Sequence, residues 1–130
     1  MSRFCNDYKY GKENEKKILK DLNNFFKDDI EIITDKFSQY DFKGTKNIYE
    51  LKTRRNKYED FPTTIIGANK ILDNIIFLFK FENGLYYIKY DENKFNTFEK
   101  KKFVRNKRLD YNDKEMDYLF IPIEHLTKII

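Results

Sequence analysis

The chain contains 130 residues, 40% of them hydrophobic, 18% aromatic and 37% charged, and its 26 basic and 22 acidic side chains give a formal net charge of +4. This length fits one domain, 1–130, with a core of its own, and so many aromatic residues exclude a disordered chain. The single cysteine, Cys5, and the single histidine, His125, exclude an internal disulfide and a Cys/His zinc cluster, so a metal would have to bind through carboxylate oxygens.

The first part of the chain predicts one helix followed by three strands. Ile18, Leu19, Leu22 and Phe26 recur at the spacing of one helix face. Short apolar runs follow, and Gly44 marks a turn between two of them. The predicted elements are a helix over 12–27, a strand over 30–34, and a hairpin with strands over 37–43 and 47–53.

The second part predicts two further helices and three more strands. Pro62 can open a helix that Thr63 or Thr64 caps. The apolar run at 75–81 suits a central strand that is covered on both faces, and Asn83-Gly84 predicts a hairpin. The predicted elements are a helix over 64–74, strands over 75–81, 85–90 and 118–123, a mostly irregular segment over 91–117, and a short helix over 124–129. This order predicts an α/β (α+β) fold, with helices packed on a mixed sheet. Pro122 implies an edge position or a strand end.

The hairpin at 37–53 carries two carboxylates and a lysine on one face. If its turn is centred between Thr45 and Lys46, paired residues sum to 91 and Asp41 lies opposite Glu50. Side chains alternate along a strand, so Lys52 shares the face of Asp41 and Glu50. The opposite face then carries four apolar or aromatic side chains: Tyr40, Phe42, Tyr49 and Leu51.

Two carboxylates that face each other across a hairpin repel, and a bound divalent cation removes that repulsion. Lys52 lies two residues beyond Glu50, where its amine can reach a water molecule or a phosphate beside the cation. Such a site is suited to the hydrolysis of a phosphodiester bond. The alternative is an amphipathic edge hairpin whose charged side chains face water.

Asp41 followed by Glu50-Leu51-Lys52 across a hairpin resembles the signature of the PD-(D/E)XK nuclease superfamily, which includes restriction enzymes and Holliday-junction resolvases. The resemblance covers about residues 10–90 and implies a restriction-endonuclease-like mixed β-sheet flanked by helices. It implies that Asp41, Glu50 and the backbone carbonyl of Leu51 bind Mg²⁺ or Mn²⁺, and that Lys52 is catalytic. Tyr40 stands where the family signature has proline, and the basic extension at 91–130 matches no family pattern.

Members of this superfamily often add a glutamate from the first helix. Glu15 precedes Ile18, Leu19 and Leu22 at helical spacing, so it lies on the helix face that is expected to meet the sheet. Gly11 and Glu15 also resemble the first-helix pattern of the family. A carboxylate on a core-facing surface needs a partner, and a metal or the active-site lysine could serve. Glu15 is therefore the fourth predicted catalytic residue, after Asp41, Glu50 and Lys52.

Basic residues after the hairpin and in the extension predict a nucleic-acid contact, because lysine and arginine neutralise phosphates. Ordinary solvated loops would have the same composition. The predicted contact residues are Arg54, Arg55, Lys57, Lys70, Lys100, Lys101, Lys102, Arg105, Lys107 and Arg108.

These features predict a metal-dependent nuclease, most simply an endonuclease, that acts on DNA in restriction, repair or recombination. The alternatives are a catalytically silent module of the same fold that binds nucleic acid or serves in assembly, and a structural protein that packages nucleic acid. A homodimer is expected if the enzyme makes paired cuts. The sequence has neither a membrane-spanning run nor a signal-peptide core, so we expect an intracellular protein, in the cytoplasm or nucleus or associated with a virion or phage.

Overall fold

The computed structural model describes residues 3–35, 38, 40–103 and 116–130. Within these ranges the protein has a mixed α+β fold with a six-stranded sheet, a three-stranded sheet and few helices. The predicted α+β class is confirmed. The elements are α1 (Arg3–Phe26), β1 (Glu31–Ile32), β2 (Phe42–Lys43), β3 (Ile48–Thr53), β4 (Thr63–Gly67), β5 (Ile75–Phe81), β6 (Gly84–Lys89), α2 (Glu92–Phe95), β7 (Glu99–Phe103), β8 (Met116–Pro122) and β9 (Thr127–Lys128), with short 3₁₀ turns at Tyr58–Asp60, Ala68–Lys70 and Ile123–His125.

The six-stranded sheet, called here the large sheet, has the order β1-β2-β3-β5-β6-β9. Its strands pair antiparallel except β3 and β5, which are parallel. Helix α1 packs on one face, where buried Ile18 and Leu22 join a cluster that includes Tyr49 and Leu78. The predicted apolar stripe of this helix is therefore confirmed, although the helix begins at Arg3 rather than at residue 12.

The three-stranded sheet, called here the small sheet, has the order β4-β8-β7 and lies on the other face of the large sheet. Ile66 of β4 and Ile121 of β8 meet Phe77 and Phe79 of β5 in a second buried cluster, the inter-sheet core. Strand β5 is therefore covered on both faces, as its continuous apolar sequence predicts.

The predicted helix over 64–74 is wrong, because residues 63–67 form strand β4 and only Ala68–Lys70 makes a helical turn. Thr64, Ile65 and Ile66 are β-branched, and they pair along β8 from Thr63–Pro122 to Gly67–Tyr118. Burial alternates along β4, with Thr64 and Ile66 inward. The threonines are therefore strand residues and not helix caps.

The segment after β6 is more ordered than its charged sequence predicts. The structure places α2 and β7 within the range that the sequence predicts to be mostly irregular. Strand β8 begins at Met116, is the central strand of the small sheet, and ends at Pro122 as expected. The predicted terminal helix is wrong, since a 3₁₀ turn and strand β9 occupy most of that segment.

Candidate active site

The predicted register of the first hairpin is confirmed. Phe42 pairs with Tyr49 and Lys43 with Ile48, so paired residues sum to 91. The amide of Gly44 donates to the carbonyl of Asn47 at 2.8 Å, which leaves Thr45 and Lys46 as the turn. An Asp28 carboxylate oxygen lies too close to the position that a Cβ at residue 44 would take, so any residue other than glycine would require the Asp28 side chain to shift.

Asp41 lies just outside β2 and remains attached to β3. Its amide donates to the carbonyl of Tyr49 at 3.1 Å, and its Oδ2 accepts from the amide of Leu51 at 2.8 Å. Tyr49 and Leu51 are two residues apart, so the backbone polar groups of both point toward the same side of β3. The carbonyl of Leu51 is therefore directed toward the edge where the Asp41 carboxylate lies.

Glu50 is a buried carboxylate on the inter-sheet face of β3. It pairs with Phe77 and is only 6% exposed, whereas its neighbours Tyr49 and Leu51 belong to the cluster beneath α1. Lys52 lies on the same face as Glu50, and its Nζ is 3.1 Å from Oε1 of that residue. The other oxygen, Oε2, is buried without a hydrogen-bond partner among the described residues.

The surroundings of Glu50 raise the pKa of its carboxyl group above the ordinary value. Desolvation by burial is the largest cause, and the negative charge of Asp41 adds to it. The positive charges of Lys52 and Lys70 act in the opposite direction. The structure therefore brings together the two carboxylates and the lysine that the sequence predicts, and it adds Lys70 as a second cation near Glu50.

Tyr40 does not lie where strict alternation predicts. It packs against the inter-sheet core and not against the cluster beneath α1, because the chain bends at Asp41 and the ladder of β2 begins only at Phe42. Its hydroxyl donates to the carbonyl of Lys70 at 3.4 Å, and the ammonium of Lys70 lies 5.8 Å from the ring centre. Tyr40 thus holds Lys70 beside the carboxylates, a role that the sequence analysis missed.

The donor set suits a hard divalent cation. Asp41 and Glu50 offer carboxylate oxygens, the carbonyl of Leu51 points the same way, and Oε2 of Glu50 has an unsatisfied lone pair. Mg²⁺ is commonly held by one or two carboxylates while it keeps several waters. Among the described residues, no group of three or more His, Cys, Asp or Glu side chains could hold a metal.

No family model, curated protein or solved structure matches this chain. Among the helices that the structure describes, none is long and apolar enough to cross a membrane.

Glu15 lies on α1, on the opposite face of the large sheet from Glu50 and Lys52. Its side chain is partly buried and engaged in an interaction. It does not join Asp41 and Glu50 in a three-carboxylate group, within the part of the chain that is described. Its catalytic role stays a prediction.

The predicted nucleic-acid contacts fall into separate places. The guanidinium of Arg54 donates from Nε to Oγ1 of Thr64 at 3.3 Å and from Nη2 to the carbonyl of Ile65 at 2.6 Å, so it ties β3 to β4. Arg55 and Lys57 are exposed in the loop that follows β3. Lys70 lies near Glu50. The other predicted contacts are the exposed side chains of β7, Lys100, Lys101 and Lys102, and three residues outside the described ranges, Arg105, Lys107 and Arg108.

Proposed function

We propose that this protein is a Mg²⁺- or Mn²⁺-dependent nuclease that hydrolyses phosphodiester bonds in DNA. The observation that carries the proposal is Glu50, a buried carboxylate with one unpartnered oxygen, beside a second carboxylate and a lysine. An isolated arrangement of this kind is unfavourable, because burial and like charge both oppose ionisation. The positive charge of a bound cation would favour the ionised form of both carboxyl groups and so outweigh these two effects.

In the proposed site each residue has a chemical task. Asp41, Glu50 and the carbonyl of Leu51 would hold the cation, which when bound polarises the phosphate and makes water more acidic. Lys52 presents its ammonium beside Glu50, where it can orient the attacking water or contact the phosphate. Lys70, held by Tyr40, adds positive charge that can offset the charge of the phosphate.

The proposal extends to a distant restriction-endonuclease-like fold. In its support, a first helix precedes three antiparallel strands, and the third of these strands is parallel to the next strand in the large sheet. The connection between β3 and β5 departs from the family expectation, because it contains strand β4 and short 3₁₀ turns where a helix is expected.

Cleavage assays test the nuclease proposal. Purified protein should cut or nick linear, nicked or junction DNA with Mg²⁺ or Mn²⁺, and EDTA should stop the reaction. Lys52→Ala and Glu50→Gln should each lower the rate by at least about 100-fold, the usual scale for loss of a preorganised charged group. Lys20→Ala, at an exposed position on α1 and on the other face of the large sheet, is the matched lysine control for background nuclease. Equal rates for wild type and Lys52→Ala on every substrate would remove Lys52 from the mechanism.

A catalytically silent module of the same fold is the second candidate. It is favoured by one observation: within the described residues, Glu15 does not complete a group of three acidic ligands. Calorimetric titration with Mg²⁺ separates the two candidates, using the Asp41→Ala/Glu50→Ala double variant as the reference. The silent module would be supported if the protein binds DNA and if the Mg²⁺ titrations of wild type and of the double variant do not differ.

A further inference from the structure

A cavity of about 380 Å³ opens beyond the end of β3, on the same side of the large sheet as Glu50 and Lys52. Its volume is at the lower end of the range for small-ligand pockets. Its walls come from the segment after β3, from β4, from the end of β5 and from the turn after β8. The residues around it are Arg54, Asn56, Tyr58, Phe61, Pro62, Thr63, Thr64, Ile65, Phe81 and Ile123.

Aromatic rings form the apolar part of this pocket. Phe61 lies at the rim and is 58% exposed, the highest exposure among the large hydrophobic residues described except for the terminal Ile130. Tyr58 is fixed in place by two contacts. Its ring stacks on the ring of Tyr86 with 4.2 Å between the ring centres, and its hydroxyl donates to the carbonyl of Ile123 at 2.8 Å. The pocket therefore presents an exposed ring at its rim and a fixed ring in its wall.

Cations and hydrogen-bonding groups surround these rings. Arg54 and Asn56 contribute polar side chains to the pocket, and Arg55 and Lys57 are exposed in the same loop. Arg54 lies two residues after Lys52, directly beyond the end of β3, a separation of roughly 6.6 Å along an extended chain. An aromatic pocket with a basic margin beside a phosphate-cleaving site is complementary to a nucleotide, whose base stacks on rings and whose phosphates are negative.

We propose that this base pocket binds one unpaired nucleobase of the DNA substrate, next to the phosphate that Lys52 faces. The proposal rests on the proposed nuclease function for its substrate, and it specifies the class of that substrate. A base can enter the pocket only when it is outside a stacked duplex, so DNA with unpaired bases at the cleavage point binds better than fully paired DNA. Stacking on Phe61 is sequence-tolerant, since every base has a π-face.

Binding without metal tests the base pocket independently of cleavage. The probe is a short single-stranded oligonucleotide with one 2-aminopurine, whose fluorescence falls when the base stacks, titrated with protein in EDTA. Wild type should quench the probe, and Phe61→Ala should bind it on the order of tenfold more weakly. Phe61→Trp should retain binding, because tryptophan also offers a stacking face. Phe25→Ala is the matched control, since Phe25 is 41% exposed and lies on α1, away from the pocket.

The outcomes separate this proposal from the nuclease proposal. Weaker binding by Phe61→Ala at an unchanged melting temperature supports the base pocket, even if no DNA is cleaved. Equal binding by wild type and Phe61→Ala overturns it, even if Mg²⁺-dependent cleavage is found. Equal affinity for an oligonucleotide and for a copy with an abasic site at the probe position also overturns it, and would assign the cavity to another kind of ligand.

Discussion

Glu50 makes stability depend on pH in an unusual direction. Most acidic residues in folded proteins stabilise the fold when ionised, but burial and the charge of Asp41 raise the pKa of Glu50. The folded state then holds its proton to a higher pH than the unfolded state does. Below the unfolded pKa, about 4.5, Glu50 is protonated in both states and its burial carries no penalty for a charge. As pH rises from that value through the folded pKa, ionisation of Glu50 lowers the free energy of unfolding.

We therefore predict that Glu50→Gln raises the melting temperature of the metal-free protein at pH 7, and that its advantage over wild type shrinks toward pH 4. The neutral amide avoids the desolvation of a charge while it keeps the shape of the side chain. Thermal unfolding in EDTA across pH 4–8 measures this. Glu82→Gln, at an exposed position, is the control and should show no such trend. A Glu50→Gln protein that is less stable than wild type at pH 7 would contradict the prediction.

Arg54 connects two strands, and this role separates it from its neighbour Arg55. Its guanidinium donates to Thr64, which is buried, and to the carbonyl of Ile65, so its loss leaves two acceptors on β4 without their donor. Hydrogen bonds to charged groups contribute about 1.5–3 kcal/mol. We predict that Arg54→Ala lowers the free energy of unfolding by about 2 kcal/mol, whereas Arg55→Ala changes it by less than about 0.5 kcal/mol.

Urea unfolding of both arginine variants measures this difference. Arg55→Ala should weaken DNA binding without loss of stability, if its exposed charge contacts phosphate. Equal stability of the two variants would remove the structural role of Arg54.

The alternating burial along strand β4 can be tested by comparing two adjacent isoleucines. Ile66 is buried in the inter-sheet core, whereas Ile65 is only partly buried. We predict that Ile66→Ala lowers the free energy of unfolding by about 3 kcal/mol and that Ile65→Ala lowers it by about 1 kcal/mol. The same urea series measures both, and similar losses at the two positions would contradict the alternating burial of a strand.

The sequence predicts the large sheet better than the small one, for a physical reason. Strand β5 and the register of the first hairpin depend on local signals, namely a continuous apolar run and a short turn. Strand β4 depends on pairing with β8, more than 50 residues later, which local periodicity does not encode. Pro62 favoured a helix locally, and the long-range pairing outweighed it.

The candidate site shows the same division between local and long-range effects. Asp41, Glu50 and Lys52 meet because one hairpin and one strand carry them, so their spacing is sufficient to predict the cluster. The burial of Glu50 arises from the inter-sheet core, and the proximity of Lys70 arises from the connection between β3 and β5. Neither is encoded in the local spacing of residues 40–52.

For the molecule as a whole, metal binding and folding are expected to be coupled. A ligand that binds only the folded state stabilises it by RT ln(1 + [L]/Kd), about 1.4 kcal/mol at ten times Kd. For a domain of this size that corresponds to roughly a 4–6 °C rise in melting temperature. Relief of the repulsion between Asp41 and Glu50 is part of that binding energy.

We predict that Mg²⁺ or Mn²⁺ raises the melting temperature of wild type, and that the Asp41→Asn/Glu50→Gln double variant melts higher than wild type in EDTA but gains nothing from either ion. Losing the repulsion and losing the ligands are the same chemical change, so the two effects must appear together. Differential scanning fluorimetry at fixed ionic strength, with NaCl in place of the divalent salt, separates specific binding from screening. A double variant that is still stabilised by Mg²⁺ as much as wild type would place the cation elsewhere, because the remaining oxygens of this site carry no charge.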